Sequence, residues 1–364
     1  MKPTCWYITE VDHTILDGAT VSDRKIIRLL EKTCHVRVLH LQIMKYITRK
    51  VAFPKLFYDV LKSRVPPHSI IFTRGLIVPA YLIMLRKLFK YKIVYITVPS
   101  IPFPSIEIPY RKMSKAKKIF YYFLYRFLET VVPKHTDVPV TAIERHARAF
   151  TALGIPEEKI VTLPMFVEEQ FFKYKPKLKS KDFVICYSGS FSSYMRLEEL
   201  ICAMNFVHGH IPEARLILIG DGPIRPILEE KVRKENLGSV VSFLGLVPHS
   251  RMVEALGKAS IFAYFTTRQG MSSGMLEAAA LGRPILTYKA DPAYDSFFKH
   301  EKSIFYVEKI DPEVIAKAII HLHETPLLLR RIGEGARNVA LQNFNPKTAE
   351  KKLQRIIERF SDSY

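Results

Sequence analysis

Gln269-Gly-Met-Ser-Ser-Gly-Met-Leu-Glu277 runs on through Ala-Ala-Ala-Leu-Gly-Arg-Pro284 into the apolar pair Ile285-Leu286. A polar residue, a glycine- and serine-rich loop, a helix opening over Gly274 to Glu277 and a Gly-Arg-Pro stop before a strand make a loop, helix and strand in succession. Backbone N–H groups at a helix start have no partner inside the helix, so they bind phosphate without a metal. A helix of small residues packed on a sheet needs no ligand to explain it. The stretch alone therefore leaves both readings open, and its neighbours have to decide between them.

Working outward, β-rich runs recur at 182–190, 214–223, 240–247, 260–267, 284–289 and 303–307, with helical patterns between most of them. An earlier series lies at 5–11, 35–41, 69–74, 92–98 and 137–142. Strands alternating with helices predict parallel, doubly wound sheets, hence an α/β chain with two Rossmann-like domains facing across a cleft. The expected boundaries are 1–170 for the first domain, 171–181 for a basic, proline-containing linker and 182–345 for the second, with a helix over 346–364 returning to the first. Ligands of open α/β sheets bind outside the carboxyl ends of the strands. Gly189, Gly220, Gly222, Gly245 and Gly270 fall at those ends in the second series. A glycine there lets a ligand approach the backbone, and several in register point to a nucleotide or a similar phosphate.

The 364 residues suffice for two such domains, and 48% hydrophobic with 25% charged residues describe a folded chain. Cys5, Cys34, Cys186 and Cys202 show no Cys-x-x-Cys pair, so neither a zinc site nor a disulfide framework is expected, and a reducing cytoplasm fits. Residues 1–11 lead into a strand pattern without the features of a signal peptide. No apolar run reaches the roughly 18–20 residues that span a bilayer. The net charge of +20 is concentrated, residues 45–134 alone carrying +15. Within them RKMSKAKKIFYYFLYRFL, residues 111–128, reads as a basic, aromatic helix: Lys112, Lys115, Lys117 and Lys118 with Phe120, Phe123 and Phe127. Such a helix lies in the headgroup layer of an anionic membrane, giving a protein peripheral to the inner face. The alternatives are a core helix with its aromatic face buried, and RNA binding, for which no recognised motif accompanies the charge.

With these motifs in order, residues 137–345 resemble the nucleotide-sugar-binding domain of GT-B glycosyltransferases, most closely the retaining family 4, the glycosyl transferases group 1. Ser188-Gly-Ser190 with 196–203 resembles the phosphate-binding opening, 218–223 the next strand turn, and 241–248 the segment that holds the base. Gln269 to Pro284 resembles the family's Glu, seven residues, Glu signature, and 311–318 the helix that follows. Residues 1–136 agree in element order and not in motif. The resemblance implies a glycosyltransferase that moves a sugar from a UDP- or GDP-sugar to a membrane-associated lipid or lipid-linked acceptor, with retention and no metal or cofactor. It implies catalytic roles for Gln269, Glu277 and Arg196. Glu277 would accept from the ribose hydroxyls, Gly270, Met271 and Ser272 would offer backbone N–H groups, and Arg196 would neutralise the leaving diphosphate. The remaining donor-side positions are Gly189, Ser190, Gly220, Asp221, Gly222, Gly245 and Leu246.

Several positions depart from the pattern. Gln269 stands at the first acidic position, Ser190 and Met195 stand where an Arg and a Lys are common, and Tyr95-Ile-Thr-Val-Pro99 lacks the usual histidine. Two further readings stay open: a nucleotide-sugar-binding protein of the same fold that has lost catalysis, and a basic nucleic-acid-binding protein. There is no Asp-x-Asp, Gly-Lys-Ser/Thr or His-Glu-x-x-His motif.

Overall fold

The computed structural model describes residues 2–9, 18–40, 65–74, 77–96, 114–142, 144–174, 183–267, 271–289 and 292–361. In chain order the elements are β1 (Thr4–Thr9), α1 (Gly18–Glu31), β2 (His35–His40), β3 (Ile70–Arg74), α2 (Ile77–Phe89), β4 (Lys92–Ile96), α3 (Lys115–His135), β5 (Val138–Thr141), α4 (Glu144–Ala152) and β6 (Val161–Thr162). They continue with α5 (Glu169–Lys173), β7 (Phe183–Ser188), α6 (Leu197–His210), β8 (Ala214–Ile219), α7 (Arg225–Lys234), β9 (Val241–Gly245), α8 (His249–Gly257) and β10 (Ile261–Tyr264). The last are α9 (Ser273–Ala280), β11 (Ile285–Tyr288), β12 (Phe305–Val307), α10 (Pro312–Glu324), α11 (Pro326–Asn343) and α12 (Pro346–Ser361). They form two compact units, Met1–Met165 with Lys347–Tyr364, and Phe166–Pro346.

In the first unit the sheet order is β2-β1-β3-β4-β5-β6 with parallel pairing throughout. Helices on the faces of a parallel sheet bury its strands on both sides, which is why β3 and β4 read as almost unbroken apolar runs. Trp6, Ile8, Ile71, Leu82 and Ile93 make one core between sheet and helix. One polar cluster interrupts it: Arg74 Nη1 lies 2.6 Å from Asp23 Oδ1, which also accepts a 2.9 Å hydrogen bond from the Tyr7 hydroxyl. Burial, then the neighbouring Asp23 carboxylate, push the Tyr7 phenol up, so the carboxylate is held by a neutral phenol and a cation. Helix α12 is tied here by Lys352 Nζ donating to the Thr162 carbonyl at 2.6 Å and by Lys32 to Glu350 at 2.8 Å.

The second unit carries the order β12-β11-β10-β7-β8-β9, again parallel. From β7 the chain runs outward through β8 and β9, then returns to the other side of β7 at β10. That reversal leaves a crevice outside the carboxyl ends of β7 and β10.

Several observed strands are shorter than the sequence runs, as with 214–223 against Ala214–Ile219, where the run took in the first turn residues after the strand. Two elements were not anticipated. Strand β6 has only two residues. Helix α5 lies across the start of the expected linker, held by Phe171, which is fully buried, and by Arg337 Nη2 donating to the Phe172 carbonyl at 2.5 Å. Residues 175–181 of that linker are outside the described residues. Among the described residues no helix is long and apolar enough to cross a membrane.

Candidate functional site

The loops after β7, β8 and β9 are stitched edge to edge. Gly189 N donates to the Ile219 carbonyl at 3.0 Å, Phe191 N to Asp221 at 2.9 Å and Gly220 N to Gly245 at 2.8 Å. Gly189, Ser190, Gly220, Asp221, Gly222 and Gly245 are thereby brought to one rim. The glycines serve a purpose the sequence reading did not give them. A Cβ on Gly220, whose φ is +134°, would stand 1.9 Å from the Gly189 carbonyl oxygen, and one on Gly222 would stand 2.4 Å from that of Phe191. These two let loops approach each other and not a ligand. The Ser190 and Ser192 hydroxyls meet at 2.7 Å, and the Tyr187 hydroxyl donates to the Ser190 carbonyl at 2.9 Å. Burial raises the phenols of Tyr187 and Tyr264, whose stacked rings floor this rim, so both stay neutral.

Asp221 is turned inward on its own loop. Its Oδ1 accepts from Gly222 N at 2.8 Å and its Oδ2 lies 3.3 Å from Arg225 Nη1. Arg225, which the sequence reading did not single out, also donates to Glu229 at 2.7 Å and lies over the Phe243 ring at 5.9 Å. It thus stands between the β8 and β9 loops. Leu246, beyond β9, is exposed.

The loop 194–196 is joined to the segment after β10: Arg196 N donates to the Phe265 carbonyl at 3.0 Å and Thr267 N to that of Tyr194 at 3.1 Å. Arg196 itself forms an ion pair with Glu199, one turn into α6. Gln269 and Gly270 lie outside the described residues. The chain resumes at Met271, half-buried, and Ser272, whose Oγ caps α9 by accepting from Met275 N at 3.0 Å. The cap has a local cause, since a serine oxygen satisfies one of the helix's first N–H groups. Gly274 sets the seat of α9, because a Cβ there would come within 2.8 Å of the Ser188 carbonyl oxygen. The start of α9 is thus pressed against the end of β7, at the reversal of strand order.

From this helix the Glu277 carboxylate is buried at 3% exposure, the only charge in the sequence SGMLEAAA. An ionised carboxylate buried without a partner would be strongly unfavourable. His249, the first residue of α8, lies with Nε2 3.2 Å from Glu277 Oε1 and Nδ1 2.9 Å from Glu168 Oε2. Neither His249 nor Glu168 was among the residues expected from sequence. His249 follows directly on the 241–248 segment, which is the one local signal that pointed toward it.

In the first unit, helix α3 carries Phe123 at 66% and Phe127 at 62% exposure, with Ile119 and Tyr122 also exposed. Leu128, on the opposite side of the helix, packs on the core. The backbones of Lys115, Lys117, Lys118 and Phe120 belong to α3, and Lys112 lies outside the described residues. Among the described residues no group of histidine, cysteine and acidic side chains is arranged to hold a metal ion.

Residues 168–339 match the family model described as glycosyl transferases group 1. The chain is 24% identical over 173 residues to the alpha-monoglucosyldiacylglycerol synthase of Acholeplasma laidlawii, an alignment covering 47% of this chain and 43% of that protein. It spans about half the length of the curated relatives it matches. Its fold is similar to that of HepE from Anabaena in complex with UDP and glucose, with a TM-score of 0.73 at 16% identity, over 97% of this chain and 99% of that one. The sucrose-phosphate synthase of Thermosynechococcus elongatus gives a TM-score of 0.76 at 16% identity over the whole of both chains. The fold is therefore GT-B, with two six-stranded parallel sheets. Residues 168–339, which carry the α9 helix start and Glu277, are thus the part of the chain that is similar to the glycosyl transferases group 1.

Proposed function

We propose that this chain is a glycosyltransferase that moves a hexose from a UDP-sugar to a lipid or lipid-linked acceptor at a membrane surface. The observation that carries the reading is the buried Glu277 carboxylate on α9, seated at the strand-order reversal behind a capped helix start. Glu277 accepts hydrogen bonds from the ribose hydroxyls, and the first N–H groups of α9 receive the diphosphate. The bond from the anomeric carbon to the phosphate oxygen breaks and a bond to the acceptor oxygen forms. The proton of the acceptor hydroxyl passes to the leaving diphosphate oxygen, and UDP leaves. Charge growing on the diphosphate is met by the helix start, so no metal is part of the proposed chemistry. Retention at the anomeric carbon follows the family pattern.

The donor assignment is supported by HepE, which holds UDP and glucose. The acceptor assignment draws on the diacylglycerol product in the name of the Acholeplasma relative. It also draws on Ile119, Tyr122, Phe123 and Phe127, exposed on α3 within the stretch that carries +15. Met84 and Leu88 on α2 are exposed as well. Apolar side chains among cations insert between anionic headgroups. This keeps the protein peripheral to the inner face of the membrane.

The test is a panel of UDP- and GDP-sugars with vesicles of diacylglycerol and anionic lipid, reading free nucleotide and glycolipid. Transfer from a UDP-sugar that is lost in Glu277→Ala supports the proposal. Gln269 favours a second reading, a donor-binding protein without turnover. Binding of UDP-sugar with no hydrolysis or transfer to any acceptor would select it.

A further inference from the structure

We infer that His249 is a positioning residue, a protonated imidazole clamped between Glu168 and Glu277 that fixes the Glu277 carboxylate for the ribose of a nucleoside diphosphate. The inference rests on the donor reading of Glu277. Nδ1 stands 2.9 Å from Glu168 Oε2 and Nε2 stands 3.2 Å from Glu277 Oε1. A neutral imidazole has one N–H and one lone pair, so it can donate to only one of these oxygens. The other nitrogen would then direct a lone pair at a carboxylate inside the protein. Only the imidazolium donates to both.

The surroundings hold this arrangement from three elements. Glu168 immediately precedes α5, and its Oε2 also accepts from Gln170 Nε2 at 3.2 Å. Phe171, fully buried on α5, lies 5.6 Å from the imidazole at 60°, so an apolar ring limits rotation of the histidine. Glu277 comes from α9. Of the other charges on these elements, Lys173 pairs with Glu169 at 2.8 Å, while Arg251 and Glu254 follow on α8 itself. Arg283, just after α9, donates to the Ala259 carbonyl at 2.9 Å. Among the described residues, Glu168 and Glu277 both lie within ion-pair distance of the ring. The start of α8 disfavours a cation on its first residue, but that end effect is weak beside two carboxylates at contact distance in a half-buried site.

The clamp makes donor binding depend on pH with a defined sign. While His249 carries its second proton, Glu277 stays where the ribose needs it. As pH rises and the proton is lost, the repulsion at Nε2 or Nδ1 frees one carboxylate, and affinity falls. An untethered Glu277 would show no such fall.

The experiment uses the full chain with UDP and GDP as probes. Calorimetric titration from about pH 6 to about pH 8.5 brackets the range in which an imidazolium deprotonates. Spectra of ¹⁵N-histidine-labelled protein read the charge of the ring directly, with His249→Gln assigning the signal. The expected result is a doubly protonated His249 near pH 6. Nucleotide affinity should weaken about tenfold in His249→Phe, the size of one hydrogen bond to a charged group, and lose its pH dependence. His249→Gln, which keeps one donor, should recover part of the affinity and remain independent of pH. Glu168→Gln should move the ring's deprotonation to lower pH without abolishing binding. Unchanged affinity and pH profile in His249→Phe, or a neutral His249 at pH 6, overturns the clamp. If the wild-type protein binds no nucleoside diphosphate, the donor reading falls, and the ring's charge state alone supports or overturns the pairing.

Discussion

Ser272 and Gly220 hold the rim by different physics, and substitutions separate them. Ser272→Ala removes a side-chain cap from α9, a loss of about 1 kcal/mol. The second unit should melt about 2–4 °C lower by calorimetry. Gly220→Ala forces a Cβ against the Gly189 carbonyl in a backbone conformation that side chains rarely adopt, which costs about 2–3 kcal/mol. A Gly220→Ala protein as stable as wild type would refute the packing role assigned to that glycine. The cysteines make a third case. Burial pushes the Cys186 thiol up to about 12, whereas Cys202 is the one of the four that is partly exposed. At pH 7.5, a value below the ordinary thiol range of about 8.5, a thiol reagent should therefore label one cysteine in the native protein and four after denaturation. Two or more rapid native labels would contradict the burial.

Helix α3 is where an amphipathic pattern meets its predicted exposure. Its outward Ile119, Phe123 and Phe127 make few stabilising contacts, so replacing all three by Ser should leave the melting temperature nearly unchanged. It should reduce sedimentation with anionic vesicles at least about tenfold, given the apolar area removed. Equal sedimentation of the triple variant would end the membrane proposal. What could be read from sequence follows from how local each cause is. Parallel strands buried on both faces announce themselves as apolar runs, and the α9 start is written in consecutive residues from Ser272 to Glu277. Strand β6 was missed because two residues carry no periodicity. Helix α5 was missed because its stability comes from burying Phe171 in a tertiary contact. His249 and Glu168 were missed for a related reason: they meet Glu277 only because α5, α8 and α9 converge, and no spacing along the chain encodes that. Gly220 and Gly222 were legible as residues and not in role, since loop-to-loop and loop-to-ligand approach demand the same missing Cβ.

The first unit contains a buried charge cluster of its own, and it offers a way to perturb one unit while watching the other. Asp23 is fully buried and Arg74 nearly so. Removing one partner of such a pair leaves an uncompensated charge and costs about 3–5 kcal/mol. Arg74→Met should therefore destabilise the unit formed by Met1–Met165 with Lys347–Tyr364, read by hydrogen exchange of β1 and β3 amides. Nucleotide binding by Phe166–Pro346 should persist at low temperature. Loss of both would mean that the second unit cannot hold its site without the first.

That division of the chain also sets an order of events during synthesis. Phe166–Pro346 is continuous, so all its strands and helices have been made once residue 346 is in place. The first unit has to wait for Lys347–Tyr364, although its β1 is made well before Phe166–Pro346. Until Glu350 reaches Lys32 and Lys352 reaches the Thr162 carbonyl, the exposed apolar side chains of α3 lie on an incompletely assembled body. Domains fold as units as they are translated. The nascent chain thus presents a completed Phe166–Pro346 unit while the unit that holds β1 still lacks its closing helix.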